Sequence, residues 1–408
     1  MRRGSLGRQF GWLWAAYAVS TFGTYFAFDA FSLIAILALH AGAGQVSLLA
    51  AAGLAVGAAV AVPLGPWVEV RRKRSVMVAM DLTRFAVLMS VPAAFALGRL
   101  SFAQLLVVSV IAGAANITFK AASGACLKAL VAPEHLLTAN ARFESTTWTA
   151  TVLGPPLGGV AIGLLGPVTT VMADAVSYLL SALGVRAIGG SEPHPARSTT
   201  RLRPGDLLDG WRHILGHPAL RRLFFNTVLV NGLIMASAPL LAVLMLGRLG
   251  FAPWQYGLAF GVPCVGGLLG ARLSRRLVAR FGQHRVMLAG GVLRACWPLG
   301  LAFVQPGVPG LVLVIALQFG LVASVGVFNP VFATYRLEQT PTERVARTLS
   351  AWSVTSSATI AGMTALWGLL ASVAGPRTAI AAAGVLLLGT PFLLPRPARV
   401  VEPALTAA

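Results

Sequence analysis

A chain of 408 residues that is 57% hydrophobic and only 11% charged is too apolar to keep a water-soluble surface once folded, so its solvent must be lipid. A formal net charge of +20 would suggest nucleic acid in a soluble protein, but here the basic residues sit at the ends of apolar segments, not on one face among stacking aromatics, which argues against that partner. Cys126, Cys264 and Cys296 are odd in number and far apart, which argues against a disulfide framework or a cysteine-held metal.

Twelve apolar segments follow one another, at about 12–39, 45–66, 75–97, 102–125, 140–163, 166–188, 220–246, 253–279, 285–305, 309–333, 347–373 and 376–395. Each is long enough to cross about 30 Å of hydrocarbon. The first starts beside basic residues, as a signal peptide would, yet its run is too long and lacks a small-residue cleavage site, so it reads as a retained span. Asp29 lies near its middle, with Tyr25 and Ser32 on the same helical face at i−4 and i+3. An ionised side chain there costs about 2.5–3.5 kcal/mol on insertion scales, so it should face a wet cavity. Asp29 either carries a proton between the two sides or is held by hydrogen bonds that fix helix packing.

After the second span comes Gly65-Pro66-Trp67-Val68-Glu69-Val70-Arg71-Arg72-Lys73-Arg74, and Asp81 and Arg84 follow within the third. A short turn with one acid and several bases can grip helix ends in one conformation and release them in another, although a plain solvated basic loop is the other reading. Asp81 and Arg84, at i and i+3, can pair with each other. The fourth span holds Asn116 and Lys120; Lys120, towards the inner end, either attracts an anionic substrate or snorkels to lipid headgroups. In the fifth, Gly154-Pro155-Pro156-Leu157-Gly158-Gly159 predicts a bent helix that packs closely on its neighbours. In the sixth, Asp174 shares a face with Thr170, Ser177 and Ser181, a polar stripe that lines a path or bonds helices together.

The pattern breaks at 189–218, predicting a linker between an N-terminal bundle, 1–188, and a C-terminal bundle, 219–408. Within it Leu208, Trp211 and Leu215 share one face of a short helix that lies on the membrane surface or packs against the bundle ends. Asn231 in the seventh span and Gln318 and Asn329 in the tenth are candidate cargo contacts or polar glue between helices.

Landmarks of the first six segments recur about 208 to 210 residues later: Gly166-Pro167 as Gly375-Pro376, Arg84 as Arg294, Val76-Met77 as Val286-Met287, Pro133 as Pro341. A duplicated six-span bundle is the architecture of a secondary transporter, whose halves rock about a site between them. The connections carrying Arg71 to Arg74, Lys128, Arg197 to Arg222, Arg272 to Arg285 and Arg336 to Arg347 are far more basic than the opposite ones, which hold only Arg99, Arg248 and Arg377. The basic side is expected to be cytoplasmic, with both termini on it. No Gly-x-x-x-x-Gly-Lys-Ser/Thr, His-Glu-x-x-His or hydrolase elbow is present, so neither a nucleotide site nor an enzyme's catalytic cluster is expected.

The loop with Gly65, Glu69 and Lys73-Arg74 resembles the signature of the major facilitator superfamily. Ala132-Pro133-Glu134-His135-Leu136-Leu137-Thr138-Ala139-Asn140, the Gly154 to Gly159 stretch, Asp174-Ala175-Val176-Ser177-Tyr178 and Gln339-Thr340-Pro341 through Arg347 are similar to the branch that contains the enterobactin exporter and bacterial drug-efflux carriers. Where that branch has Phe-x-x-Pro-Ala-Arg, this chain has Phe119-Lys120-Ala121-Ala122-Ser123. The resemblance implies an all-α membrane protein with twelve transmembrane helices in two pseudo-symmetric halves. The first, fourth, seventh and tenth spans would surround a cavity, making Tyr25, Ser32, Asn116, Lys120, Asn231, Gln318 and Asn329 substrate contacts. Asp29 would be the proton-coupling group. Gly65, Glu69, Lys73, Arg74, Asp81 and Arg84 would form a cytoplasmic latch, and Gly154, Pro155, Gly158, Gly159, Asp174 and Ser177 a helix-packing motif.

The expected protein is a monomeric, cofactor-free and metal-free carrier of the bacterial inner membrane. Its partners would be lipid, protons and a small, partly hydrophobic substrate, exported by alternating access. Uptake of a small metabolite, or a non-transporting sensor or enzyme on the same bundle, are the alternatives.

Overall fold

The computed structural model describes residues 6–27, 30–37, 39, 49, 53, 59, 64–69, 71–189, 208–251 and 253–395. Among them there is no strand, and ten helices are long and apolar enough to cross a membrane. The first expected span is carried by α1 (Gly7–Phe26) and α2 (Ala30–Leu37). The second, 45–66, lies largely outside the described residues and ends in α3 (Leu64–Glu69).

The remaining first-set helices are α4 (Lys73–Ala96), α5 (Phe102–Leu130), α6 (Leu136–Leu165) and α7 (Pro167–Arg186). A short α8 (Asp209–Gly216) leads into α9 (Pro218–Ala242), α10 (Pro253–Phe281), α11 (Gln283–Gly300), α12 (Val308–Glu338), α13 (Val345–Ala374) and α14 (Pro376–Gly389). Several helices run a turn beyond their apolar stretch, α5 to Leu130 and α12 to Glu338, because the helical ladder continues past the last apolar residue until a breaker intervenes.

Local chemistry recurs with the sequence. Gly166 and Gly375 have φ of +81° and +87°, conformations that glycine adopts without strain, and each is followed by a proline at the first position of the next helix. The result is the same abrupt reversal twice, after two 30-residue helices, α6 and α13. Each of these helices is preceded by one 3₁₀ turn, Pro133–His135 and Thr342–Arg344.

The outer surface is apolar: Leu164, Leu165, Val373 and Phe392 are all at least 66% exposed. Such a surface is stable only against lipid tails. With no water to drive helices together there, packing depends on close approach. A Cβ at Gly154 would lie 2.5 Å from Tyr25 Cβ, and one at Gly158 would lie 1.9 Å from the carbonyl oxygen of Phe26. These two glycines therefore let α6 lie directly on the end of α1, whereas Gly159 has nothing within 4 Å.

The first-set and second-set helices meet where α6 packs on α10 and α12, and where α5 and α3 pack on α13. One apolar cluster crosses this boundary, combining Phe119, Leu127 and Leu136 with Leu337, Val345 and Leu349. The linker helix α8 packs against α13 and α9 through Gly210 and Ile214, both buried. Of the expected apolar face, Leu208 and Leu215 are exposed, as a side resting on lipid would be, and Trp211 turns inward, donating to Thr355 Oγ1 at 2.9 Å. Gly210 sets the docking side, since a Cβ there would stand 2.4 Å from the Arg347 carbonyl oxygen; the helix docks on its bare side.

Candidate transport chamber

A cavity of about 350 Å³ lies between the two sets of helices, lined by Tyr17 of α1, Phe119, Lys120, Ser123 and Leu127 of α5, Asn140, Phe143 and Glu144 of α6, Arg336 of α12 and Ser353 of α13. The walls are therefore shared. Lys120 is exposed to it, and among the described residues it has no hydrogen-bond or ion-pair partner. Arg336 rests its guanidinium over the rings of Phe332 and Trp352, 4.9 and 5.1 Å from their centroids, and its buried Nε has no partner. Glu144 accepts hydrogen bonds from Trp148 Nε1 and from Asn329 Nδ2, both at 2.9 Å, so its carboxylate ties α6 to α12.

Towards the basic end the chamber is closed by contacts between the sets. Lys128 Nζ donates to the carbonyl oxygens of Leu337, at 2.6 Å, and Thr340. Asn140 Nδ2 donates to Thr334 Oγ1 at 2.9 Å. Gly124 gives way to Leu349, whose Cδ1 would stand 2.2 Å from a Cβ there. The lysine meets the Leu337 carbonyl in the last turn of α12, which otherwise accepts a long bond from the Thr340 N–H at 3.4 Å, and the Thr340 carbonyl just beyond the helix, a place for a cation that the helix dipole favours.

A second polar group is buried inside the first set. Asp81 and Arg84 form an ion pair on α4, and the guanidinium lies over the rings of Phe119 and Tyr178 at 4.6 and 4.0 Å. Arg84 Nη1 also donates to Asn116 Oδ1 at 3.5 Å. Thr24 Oγ1 reaches Asp174 Oδ1 at 3.4 Å and the Tyr178 hydroxyl at 2.7 Å, and Ser177 Oγ donates to the Asp174 carbonyl oxygen at 2.7 Å. Asp81 and Arg84 thus lie in the bundle interior, within the third span as expected and apart from the loop residues of the expected latch; the aromatic cradle and the pairing lower the cost of burying their charges.

The other expected site residues divide. Asp29 lies outside the described residues, as do the side chains of Ser32 and Glu69. Tyr25 packs against Gly154, next to Pro155, and Gly65 lies in α3. Lys73 Nζ donates to the carbonyl oxygens of Val68 at 2.9 Å and Arg71 at 3.1 Å, closing the turn after α3; Arg74 Nη1 donates to that of Ile188 at 2.8 Å, tying the loop to the end of α7. Asn231 is exposed on α9 and Gln318 buried on α12; neither lines the chamber or makes a hydrogen bond among the described residues. Of the expected contacts among the described residues, the chamber gathers Lys120, with Asn329 reaching in through Glu144.

Glu144 and Arg336 were not among the expected site residues. Glu144 carries a usable signal, a carboxylate inside an apolar span with an indole donor one turn on at Trp148. Arg336 is masked in the sequence by its neighbours, because it falls in the run of bases that marks the basic side.

Fold and chamber together define a multi-helical membrane carrier. The family model of the Major Facilitator Superfamily matches residues 13–325 and 223–407, and the chain belongs to that superfamily, whose members are transporters of small molecules in lipid membranes. It is similar to the multidrug efflux pump Tap of Mycobacterium tuberculosis, 28% identical over 186 residues, which cover 42% of this chain and 43% of that protein. Tap of Mycolicibacterium fortuitum is 25% identical over 187 residues, 45% of each. The match thus spans less than half the length of these relatives. In fold the chain is similar to a bacterial homologue of the iron transporter ferroportin in an outward-facing state, with TM-score 0.80, 17% identity and coverage of 95% and 98% of the two chains. The human organic anion transporter MFSD10 gives TM-score 0.76, 16% identity and coverage of 96% and 100%.

Proposed function

We propose that this protein is a proton-coupled exporter of a small, partly hydrophobic compound in a bacterial inner membrane, working by alternating access between two six-helix halves. The observation that carries the reading is the chamber itself, walled by both sets of helices and shut at the basic end by hydrogen bonds and apolar contacts between them. With the basic end cytoplasmic, by the positive-inside rule, these contacts close the cytoplasmic side of the chamber. Opening the other way requires the Lys128, Asn140 and Gly124–Leu349 contacts to break, while the Lys73 and Arg74 contacts, which stay within the first set, brace the loop after α3 that forms the latch in this reading. The similarity to Tap supports export as the direction.

In this reading Asp29 carries the proton, and protonation must favour one conformer, because an ion bound equally by both shifts nothing. The test is export from proteoliposomes under an imposed pH gradient, across a panel of lipophilic compounds, comparing the wild type with Asp29→Asn. Export coupled to proton entry in the wild type and uncoupled in the variant is expected. Unchanged coupling in the variant would remove Asp29 from the account, and a wild type that moves no compound would remove export.

A further inference from the structure

The cargo's charge can be read from the chamber. Two cations, Lys120 and Arg336, face one cavity from opposite sets of helices, and among the described residues neither has a carboxylate within ion-pair distance. The acid that shares the cavity, Glu144, is already bonded to Asn329 and Trp148. The remaining titratable groups around it add no negative charge at neutral pH: Tyr17 is a phenol that bonds to Thr147 at 2.7 Å, and Arg84, within electrostatic reach of Lys120, is one more cation already paired with Asp81.

A cation that no carboxylate meets is costly inside a membrane protein, and where it lines a cavity its charge is available to an anionic ligand. Tyr17 and Phe143, with ring centroids 4.6 Å apart, and Phe119 supply an apolar wall beside the two cations. The volume, about 350 Å³, is at the lower end of the range of about 300–1,000 Å³ found for ligand pockets.

We propose that the chamber binds an organic anion with an aromatic or aliphatic body, its carboxylate or sulfonate held between Lys120 and Arg336 and its body against Tyr17, Phe119 and Phe143. This deepens the export reading and rests on it for direction, but the binding step stands alone. Glu144 opposes such a ligand by its charge, so neutralising it tightens binding.

The experiment is equilibrium binding to the purified full chain in detergent of two probes of matched shape, naphthalene-2-sulfonate and naphthyl-2-trimethylammonium. The sulfonate is expected to bind at least about tenfold more tightly, since a hydrogen bond to a charged group contributes about 1.5–3 kcal/mol. Lys120→Gln and Arg336→Gln should each weaken it about tenfold or more, Lys120→Arg should retain it, and Glu144→Gln should strengthen it. Melting temperatures of the variants close to that of the wild type separate lost binding from lost folding. Equal or tighter binding of the trimethylammonium probe, no binding of either probe, or a sulfonate affinity indifferent to both cation variants overturns the proposal. Sulfonate binding without proton-coupled export in vesicles would defeat the export reading alone, and export of lipophilic cations with no sulfonate binding would defeat this proposal alone.

Discussion

Replacing Lys128 by glutamine should open the basic end of the carrier. In the closed form the ammonium group donates to two carbonyl oxygens at the end of α12, those of Leu337 and Thr340, across the boundary between the two sets of helices. Each hydrogen bond from a charged donor contributes about 1.5–3 kcal/mol when fully shielded from water. Lys128 is only partly buried, so solvent replaces a good part of that on opening, leaving about 1.5–2 kcal/mol for the pair. At 1.4 kcal/mol per factor of ten, the ratio of closed to open forms falls roughly ten- to thirtyfold. Spin labels at Ala129→Cys and Thr342→Cys, both exposed positions flanking the contact, would report the change by double electron–electron resonance in a background with Cys126, Cys264 and Cys296 replaced. A longer-distance population should grow in Lys128→Gln and less so in Lys128→Arg. An unchanged distance distribution would mean that the apolar contacts around Leu349 hold the end shut by themselves, and the reasoning from the lysine would be refuted.

Two further outcomes follow from the packing. Gly158→Ala should lower the unfolding temperature in detergent, by the equivalent of about 1–3 kcal/mol of overpacking, because the new methyl meets the Phe26 carbonyl oxygen, whereas Gly159→Ala, with open space around it, should be neutral or slightly stabilising. His213 on α8 has its pKa lowered, first by burial and then by the charges of Arg344 and His217, so the docked helix favours the neutral ring. The unfolded state then binds more protons between the lowered value and the ordinary value of about 6.5, and docking weakens as pH falls through that window. Amide exchange over 209–216, corrected for intrinsic rates, should quicken on going from pH 7.5 to 5.5 in the wild type and not in His213→Asn.

The helices were legible because lipid imposes one rule, a long apolar run whose backbone satisfies itself, and that rule leaves a plain trace in composition. The α4 and α10 ends fall within two residues of the expected spans. The chamber was less legible, because lining it depends on which face of each helix turns inward, and helices apolar all round give no periodic sign of that. Lys120 shows the limit: its place along the chain suggested the mouth of a span, yet it shares an internal cavity with Glu144 and Arg336. On α8 hydrophobicity marks Leu208, Trp211 and Leu215 as one face, but the side that docks on α13 is set by the absence of a side chain at Gly210, a steric fact that hydrophobicity does not carry.

The repeat carries one more consequence. Arg84 and Arg294, 210 positions apart, are both buried, and each stacks on a phenylalanine, Phe119 or Phe328, themselves 209 apart. The aromatic cradle is thus the same twice, but its charge partner is not. Arg84 has Asp81; the corresponding position in the second set is Gly291, pressed against Leu394, and Arg294 donates instead to the neutral Asn226 at 2.5 Å. A Cβ at Gly291 would stand 2.8 Å from Leu394 Cδ1, so the carboxylate of the first set has no room there and Asn226 is the acceptor. Replacement of the carboxylate by an amide leaves the second set with an uncompensated cation in its core. Together with Lys120 and Arg336 at the chamber, this gives the described interior more guanidinium and ammonium groups than carboxylates to meet them. In a medium of low dielectric such an excess lowers the electrostatic cost of an anion crossing between the two sets and raises that of a cation.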